Sequence, residues 1–280
     1  MFHDNTAVVT GAAGGIGTAV VRALVEQGVS VVAVDVASDG LAKLEGDQVR
    51  AYAVDVADST AVGAMVEDVE ARVGPIGALV NAAGVLRTGR AHLLTDDDWA
   101  TTFAVNSTGV FNLCRAVAAR MIPRRGGAIV TVASNAAGIA RMDMAAYAAS
   151  KAAATGFTRC LGLELAEHGI RCNVVAPGST HTAMLTGLWD DGDAVRASVE
   201  GVPSAFRTGI PLGKVAQPSD VADAVLYLLS DRASHITMQT LTVDGGAARG
   251  GGGGPPRGGA PPGGGPRRWG VESGGGPQRE

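Results

Sequence analysis

The sequence predicts a doubly wound α/β fold, a three-layer sandwich in which a seven-stranded parallel sheet lies between two layers of helices. Three observations predict it. Short apolar runs alternate with helix-length segments along residues 1–248. The runs are nearly continuous in valine, isoleucine and alanine, which is typical of parallel strands that are covered on both faces. A glycine-rich loop joins the first strand to the first helix, as it does in folds of this class.

The predicted elements keep this alternation along the chain. Strands are expected at residues 7–10, 29–35, 49–55, 78–81, 127–134, 170–177 and 240–246. Helices are expected at residues 15–27, 58–73, 96–121, 145–168 and 218–229. The first helix is amphipathic, and the fourth begins with a run rich in alanine, the best helix former. We find no internal repeat, so residues 1–248 are expected to form one Rossmann domain.

Residues 249–280 differ in composition from the rest of the chain. Glycine and proline make up 20 of these 32 residues. Such a segment cannot bury enough apolar surface to offset its ordering entropy, so a disordered tail is predicted. The tail carries a net charge of +3, which leaves −7 for residues 1–248. An acidic body argues against nucleic acid as a partner, although an arginine–glycine tail can also bind RNA weakly.

The sequence also bears on compartment and metal content. No apolar run reaches the roughly 18 residues that a membrane span needs. The first residues, MFHDNTAVVTG, lack the charged and long apolar regions of a signal peptide. We therefore expect a cytoplasmic protein that does not bind membranes. The three cysteines, Cys114, Cys160 and Cys172, are odd in number and scattered, so neither a disulfide framework nor a metal site is expected.

The glycine loop TGAAGGIG predicts a dinucleotide site. Gly11, Gly15 and Gly17 stand between a valine-rich strand and a helix start. Glycines at these positions let the backbone turn tightly and approach a diphosphate closely. The helix N-terminus then offers free N–H groups and a partial positive charge to that diphosphate.

Asp35, at the end of the second predicted strand, indicates which dinucleotide is bound. A carboxylate at this position can bind the adenine-side ribose diol and would repel a 2′-phosphate. Neither Gly14 nor Val36 is basic, so NAD is predicted rather than NADP. The alternative is that Asp35 only caps the following helix.

Tyr147 and Lys151 lie four residues apart in the alanine-rich helix and therefore on the same helix face. A tyrosine hydroxyl ordinarily titrates near 10. A neighbouring ammonium and the charge of bound NAD⁺ would lower its pKa toward the range of an effective general base. The alternative is a tyrosine at a helix start and a lysine that extends to water.

Motifs in the expected order resemble the short-chain dehydrogenase/reductase family over residues 5–248. They are TGAAGGIG, VDVAD, NAAG, FAVNSTG, VTVAS, the Tyr147–Lys151 pair and PGSTHT. The resemblance implies an NAD-dependent oxidoreductase whose catalytic residues are Asn106, Ser134, Tyr147 and Lys151. The cofactor-binding residues that it implies are Gly11, Gly15, Ile16, Gly17, Asp35, Asp55, Val56, Asn81, Ala82, Gly84, Tyr147, Lys151, Pro177, Gly178, Thr180 and Thr182. It further implies a homotetramer, because the helix that carries the tyrosine often packs against a partner subunit in this family.

Further stretches, among them NAAGVLRTG and GIPLGKVAQP, resemble one branch of that family, the 2,3-dihydro-2,3-dihydroxybenzoate dehydrogenases. This resemblance implies oxidation of a cyclohexadiene diol acid, followed by aromatisation. An anionic substrate needs a cation, for which Arg141 and Arg87 are candidates. A surface or subunit-interface position is the alternative for each arginine. Ser134 is expected to bond the substrate hydroxyl, and Met142 and Met184 either to contact the ring or to fill gaps.

Several functional alternatives stay open. A 2,3-dihydro-3-hydroxyanthranilate substrate would need the same chemistry. A 3-oxoacyl-thioester reductase would favour NADPH and a basic residue near Gly14 or Val36. An NAD-binding regulator would need the glycine loop but not the four catalytic residues. Residues 182–210 have mixed polarity and are expected to form a lid over the substrate.

Overall fold

The computed structural model describes residues 6–187 and 194–248. Its strands are β1 (Thr6–Thr10), β2 (Val31–Asp35), β3 (Val49–Ala53), β4 (Ile76–Asn81), β5 (Gly127–Val132), β6 (Ile170–Pro177), β7 (Gly201–Val202), β8 (Arg207–Thr208) and β9 (Thr240–Val243). Its helices are α1 (Gly15–Glu26), α2 (Ser38–Ala42), α3 (Ser59–Arg72), α4 (Asp96–Phe103), α5 (Gly109–Arg124), α6 (Ala145–Leu165), α7 (Ala183–Thr186), α8 (Ala194–Glu200) and α9 (Pro218–Leu229). The predicted tail at 249–280 lies outside the described residues, as does the 188–193 part of the predicted lid.

Seven strands form one sheet in the order β3-β2-β1-β4-β5-β6-β9. Every neighbouring pair in this sheet is parallel, which confirms the predicted doubly wound α/β fold. The chain places β2 and β3 on one side of β1, and β4, β5, β6 and β9 on the other. Open parallel sheets bind ligands outside the carboxyl ends of the strands, at the point where the strand order reverses. The β1–β4 junction is that point in this sheet.

Two apolar layers hold the helices against the sheet. On one face, α1 and α9 pack through side chains such as Val20, Leu24 and Val225. On the other face, α3 and α5 pack through Met65 and Leu113. All five side chains are buried, and full burial of a side chain of this size contributes about 1.5–3 kcal/mol. Aliphatic side chains therefore hold the sandwich together, in keeping with an aromatic content of 4%.

Some elements differ from the prediction. The predicted helix 96–121 is divided into α4 and α5 by a π-helical turn at residues 104–108. The last strand of the sheet ends at Val243 rather than at 246, because Gly245 and Gly246 have φ values of 62° and 91° that an extended strand does not allow. The elements α2, α7, α8, β7 and β8 were not predicted, since none exceeds seven residues. Among the described residues, no helix is both long enough and apolar enough to cross a membrane.

Candidate active site

A cleft opens beside the carboxyl ends of β4, β5 and β6, next to the start of α1. The cleft begins at the β1–β4 junction, which the reversal of strand order favours for a ligand, and extends toward β6. Its lining brings together predicted site residues from distant parts of the chain: Ile16, Ala82, Gly84, Ser134, Arg141, Tyr147, Lys151, Pro177, Gly178, Thr180, Thr182 and Met184.

The glycine loop packs so closely that side chains would not fit. A Cβ at Gly11, whose φ is 65°, would lie 2.7 Å from the backbone of Ala82. A Cβ at Gly15 would lie 2.7 Å from Cγ2 of Thr182, and one at Gly17 would collide with the Gly11 carbonyl. The first turn of α1 has neither a side-chain cap nor an acidic residue, so its N–H groups and positive dipole end are available to an anion. The loop therefore fits a diphosphate.

The Asp35 carboxylate is fixed beside this loop. Its Oδ2 accepts a hydrogen bond from the Ala13 amide at 3.0 Å, and its Oδ1 accepts one from the Ala37 amide at 3.0 Å. Val36, the next residue, is 68% exposed and supplies no positive charge. A negative charge thus stands where the loop meets the end of β2, as expected for a ribose-diol acceptor.

Asp55 and Val56 follow β3 and lie outside the lining of the cleft. Oδ1 of Asp55 accepts a hydrogen bond from the Ala57 amide at 2.9 Å. Val56 is buried, and its carbonyl accepts a hydrogen bond from Nδ2 of Asn112 at 3.0 Å. These contacts hold the turn after β3 in place, and their role in adenine binding stays a prediction.

The NAAG turn after β4 is braced from below. The Asn81 side chain is buried, and its Nδ2 donates to Sγ of Cys114 and to Oγ1 of Thr131, both at 3.3 Å. The Thr10 hydroxyl accepts a hydrogen bond from the Ala82 amide at 3.1 Å. The Asn81 side chain is thus part of the packing beneath the turn, whereas Ala82 itself lines the cleft.

Ser134, Tyr147 and Lys151 meet at the wall of the cleft. Oγ of Ser134 accepts a hydrogen bond from the Ala136 amide at 3.1 Å and is also hydrogen-bonded to the Tyr147 hydroxyl. Lys151 is only 5% exposed, and its Nζ donates to the Val132 carbonyl at 2.9 Å. The same Nζ lies 5.9 Å from the centroid of the Tyr147 ring. The spacing of four residues therefore brings the phenol and the amine to one face, as predicted.

Burial shifts the pKa values of both groups. It lowers the pKa of Lys151 to about 8, because it penalises the ammonium form. It raises the pKa of Tyr147 above its ordinary value, although the Ser134 hydrogen bond acts in the opposite direction. The expectation from sequence was a lowered tyrosine pKa, produced by Lys151 and by bound NAD⁺ together. The residues of the protein do not lower it by themselves, so any lowering has to come from additional positive charge at the site.

Asn106 lies in the π-helical turn between α4 and α5 and is fully buried. Its Oδ1 accepts from the Val85 amide at 2.8 Å, and its Nδ2 donates to the Val85 carbonyl at 2.9 Å. The same Nδ2 donates to Oγ of Ser150 at 3.0 Å, and Oγ of Ser150 donates to the Tyr147 carbonyl at 2.8 Å. Irregular turns of this type are frequent at functional sites. Here the turn connects the loop after β4 to the helix that carries Tyr147.

The segment after β6 folds back on itself along the cleft. Oγ1 of Thr180 donates to the Gly178 carbonyl at 3.2 Å, and Oγ1 of Thr182 donates to the Thr180 carbonyl at 3.3 Å. A Cβ at Gly178 would lie 2.6 Å from Cβ of Asp244. This segment therefore borders the cleft, and its role in binding the cofactor stays a prediction.

Comparison with known proteins identifies the family. Residues 11–248 match the family model described as enoyl-(acyl carrier protein) reductase. The 2,3-dihydro-2,3-dihydroxybenzoate dehydrogenase of Bacillus subtilis (strain 168) is 54% identical over 252 residues, which cover 88% of this chain and 97% of that protein. The protein of the same name from Escherichia coli (strain K12) is 46% identical over 246 residues, which cover 88% of this chain and 98% of that protein. The chain belongs to the short-chain dehydrogenase/reductase family.

A third relative, the vibriobactin-specific 2,3-dihydro-2,3-dihydroxybenzoate dehydrogenase of Vibrio cholerae serotype O1, is 40% identical over 251 residues, which cover 87% of this chain and 96% of that protein. The predicted family is thereby confirmed. This short-chain dehydrogenase is an oxidoreductase that acts on a CH–OH group and uses a nicotinamide cofactor.

The predicted substrate-binding residues of this short-chain dehydrogenase fall into different places. Arg141 is half-buried and lines the cleft, and Met184 lines it with 41% of its surface exposed. Met142 lies in an adjoining pocket that also includes Arg141. Arg87 is exposed and lies outside the cleft lining, and its charge helps to lower the pKa of Asp98. The structure thus brings Arg141 to the site but not Arg87.

Sequence reasoning missed Arg207, which also lines the cleft. It lies on β8 in the segment that was expected to be a lid, 60 positions beyond Tyr147 in a stretch without a recognisable motif. A basic residue in an otherwise mixed-polarity loop was the one available signal. Among the described residues, no group of three histidine, cysteine or acidic side chains is arranged to hold a metal ion.

Proposed function

We propose that this enzyme oxidises 2,3-dihydro-2,3-dihydroxybenzoate to 2,3-dihydroxybenzoate with NAD⁺. The observation that carries the proposal is that Ser134, Tyr147 and Lys151 meet in one cleft that Arg141 also lines. A hydroxyl-binding group, a proton acceptor and a cation for a carboxylate are what a hydroxy acid requires. The names of the relatives at 54% and 46% identity support this substrate.

NAD⁺ is proposed over NADP⁺ because of Asp35. Its carboxylate is held against the glycine loop by the Ala13 amide, where it would accept hydrogen bonds from a ribose diol. A 2′-phosphate at this position would face that negative charge without a basic partner from Val36 or Gly14. When bound there, NAD⁺ would accept the hydride that leaves C3 of the substrate.

The proton of the C3 hydroxyl is the part of the reaction that the protein handles itself. Ser134 would bond the substrate oxygen, and Tyr147, to which it is hydrogen-bonded, would accept the proton. Burial holds the pKa of Tyr147 above its ordinary value, so the phenol becomes an effective base near neutral pH only with positive charge beside it. The oxidised nicotinamide would provide that additional charge, next to the Lys151 ammonium.

Asn106 completes the arrangement as a positioning residue in this proposal. Its carboxamide holds Val85 and Ser150 together, and Ser150 in turn bonds the Tyr147 carbonyl. The resemblance to the family implies that a water chain at this asparagine removes the proton. The resulting ketone tautomerises to an aromatic ring, which draws the reaction in the oxidative direction.

The deciding experiment supplies two acids and two cofactors to the purified full-length chain. NADH or NADPH formation is followed by absorbance with 2,3-dihydro-2,3-dihydroxybenzoate and with 2,3-dihydro-3-hydroxyanthranilate, and the aromatic product is identified by mass spectrometry. We expect the highest kcat/KM with the first acid and NAD⁺. A higher kcat/KM with 2,3-dihydro-3-hydroxyanthranilate would make that acid the substrate and overturn the proposed one.

Two further assays cover the remaining alternatives. Relatives named 3-oxoacyl-[acyl-carrier-protein] reductase are 34% identical, so reduction of an acetoacetyl thioester with NADPH is measured in parallel. Efficient turnover there would overturn the proposal. NAD binding without turnover of any substrate would instead favour a regulator.

We also propose a homotetramer in the cytoplasm. Two apolar side chains are exposed on neighbouring helices, Phe111 on α5 by 39% and Leu163 on α6 by 68%. The Phe111 ring packs edge-on against Phe157, with 5.8 Å between the ring centroids. Apolar side chains left in the open on adjacent helices favour a subunit contact. Light scattering on the wild type and on Leu163→Glu tests it: a tetramer that this variant disrupts supports the contact, and a monomeric wild type rejects it. Cell fractionation tests the location.

A further inference from the structure

Two guanidinium groups reach the same wall of the cleft from different parts of the chain. Arg141 comes from the loop that precedes α6, and Arg207 comes from β8 in the small hairpin with β7. Both side chains are half-buried and both line the active-site cleft. Both also border the adjoining pocket that contains Met142. The pair therefore lies where the catalytic cleft and its neighbour meet.

Neutral groups supply the hydrogen bonds to both guanidiniums. Nη2 of Arg207 donates to Oγ of Ser179 at 2.8 Å and to Oγ of Ser198 at 3.4 Å. Nη2 of Arg141 donates to Oδ1 of Asn135 at 3.4 Å. Hydroxyl and amide oxygens orient a guanidinium without neutralising its charge.

One carboxylate influences Arg141 from further away. Asp244 acts on it electrostatically, but its oxygens already accept hydrogen bonds from Asn135, Gly246 and Ala248 at 3.1, 2.9 and 2.8 Å. Asn135 therefore lies between this carboxylate and the guanidinium. Among the described residues, no carboxylate forms an ion pair with either arginine.

The two charges also repel each other. Burial lowers the pKa of both arginines, and the charge of Arg141 lowers that of Arg207 further. Two positive charges in a partly desolvated wall repel each other, and an anion bound between them offsets this repulsion. A carboxylate matches this arrangement, because each planar guanidinium can offer it paired N–H donors.

The hairpin that carries Arg207 is firmly tied to the rest of the domain. Gly201 has a φ of 84°, and a Cβ there would lie 2.6 Å from the Arg207 carbonyl. The Ile210 amide donates to the Val199 carbonyl at 2.9 Å, and the Thr208 hydroxyl donates to the Ala247 carbonyl at 3.1 Å. Arg207 is thus presented from a constrained turn, which limits the ordering that ligand binding would require.

We infer that Arg141 and Arg207 together bind the carboxylate of the substrate, and that Arg207 determines the preference of the enzyme for acids. The inference rests on the proposed function, because it names the residues that bind the carboxylate of the same substrate. It adds a residue and an element, the β7–β8 hairpin, to the recognition of that substrate.

The test compares Arg207→Gln with Arg207→Lys and with Arg22→Gln, a control at an exposed position on α1. Each variant is assayed with the dihydro acid and with the same cyclic diol lacking its carboxylate. Calorimetry measures binding of 2,3-dihydroxybenzoate, of catechol and of NAD⁺ to the same proteins. We expect Arg207→Gln to raise KM for the acid roughly 10- to 100-fold, the loss of one hydrogen-bonded charge partner. We expect an intermediate loss in Arg207→Lys and none in Arg22→Gln.

The carboxylate-free ligands make the result specific. In Arg207→Gln, binding of catechol, turnover of the diol and affinity for NAD⁺ should all match the wild type. Equal losses with the acid and the diol, or a loss of NAD⁺ affinity, would show a structural or cofactor role and overturn the inference. If the wild type fails to oxidise the acid, the proposed function fails. The calorimetric comparison of 2,3-dihydroxybenzoate with catechol would still decide whether the arginine pair binds a carboxylate.

Discussion

Replacing Lys151 with methionine should stabilise the protein at neutral pH while abolishing its activity. Burial lowers the pKa of Lys151 from 10.5 to about 8, and the side chain is 5% exposed. A difference of this size corresponds to about 3.5 kcal/mol of penalty on the charged form, at roughly 1.4 kcal/mol per pKa unit. Methionine, of similar length and without charge, would remove that penalty.

The lost hydrogen bond works against this gain. Nζ donates to the Val132 carbonyl at 2.9 Å, and leaving that buried carbonyl without its partner costs roughly 1–3 kcal/mol. The net expectation at pH 7 is a free energy of unfolding roughly 0.5–2.5 kcal/mol higher in Lys151→Met. For a domain of this size, that raises Tm by roughly 1–10 °C.

The sign of the pH dependence follows from linkage. The folded pKa lies below the unfolded one, so between pH 8 and 10.5 the unfolded chain binds more protons than the folded protein. Wild-type stability therefore carries the full penalty below pH 8 and recovers as pH rises to 10.5. The difference in the free energy of unfolding between Lys151→Met and the wild type should therefore shrink over the same interval. Once the lysine is neutral in both states, the variant should be the less stable protein, because it lacks the hydrogen bond to the Val132 carbonyl.

The assay is urea unfolding at pH 7 and at pH 10.5, at one fixed protein concentration. Lys43→Met, at an exposed position, is the matched control and should leave stability within about 0.5 kcal/mol of the wild type. A Lys151→Met protein that is less stable than the wild type at pH 7 would refute the reasoning. A stability advantage of Lys151→Met that does not change with pH would also refute the reasoning.

Further predictions concern the base, the cofactor and the tail. Tyr147→Phe should reduce kcat by about 10²- to 10⁴-fold, because it removes the proton acceptor, while NAD⁺ affinity measured by calorimetry stays the same; appreciable residual turnover would mean that another group accepts the proton. Asp35→Ser should lower the preference for NAD⁺ over NADP⁺ about tenfold or more, since it removes both the diol acceptor and the charge that repels a 2′-phosphate; an unchanged ratio of kcat/KM values would contradict that role. Removal of residues 249–280 should leave kcat, KM and Tm unchanged, and a drop in any of them would show that the predicted tail contributes to the domain.

Sequence alone was sufficient for the sheet and for most of the cleft. Buried parallel strands must be apolar along their whole length, and glycine is needed where backbone approaches backbone, so β1 and the loop at Gly11 leave a clear pattern. The pair Tyr147 and Lys151 was likewise visible, because helix geometry fixes the relation of residues four apart. In each of these cases a local rule sets the arrangement.

Other features depend on contacts that no local rule describes. The position of Arg207 follows from the packing of a two-residue strand against residues before and after it. Arg87 follows the NAAG turn in sequence, yet its side chain is exposed outside the cleft. The raised pKa of Tyr147 depends on burial, which spacing along a helix cannot reveal. Tertiary environment, rather than sequence pattern, decides all three.

The irregular turn at 104–108 makes this enzyme sensitive to chain length at one place. Each residue of an α-helix advances the direction of the side chain by about 100°. Deleting one residue from this turn would let α4 and α5 merge into a smoother helix, yet it would swing the Asn106 carboxamide away from Val85 and Ser150. A change that improves local regularity would thus disconnect the loop after β4 from α6. The number of residues between Phe103 and Gly109 is therefore expected to be fixed.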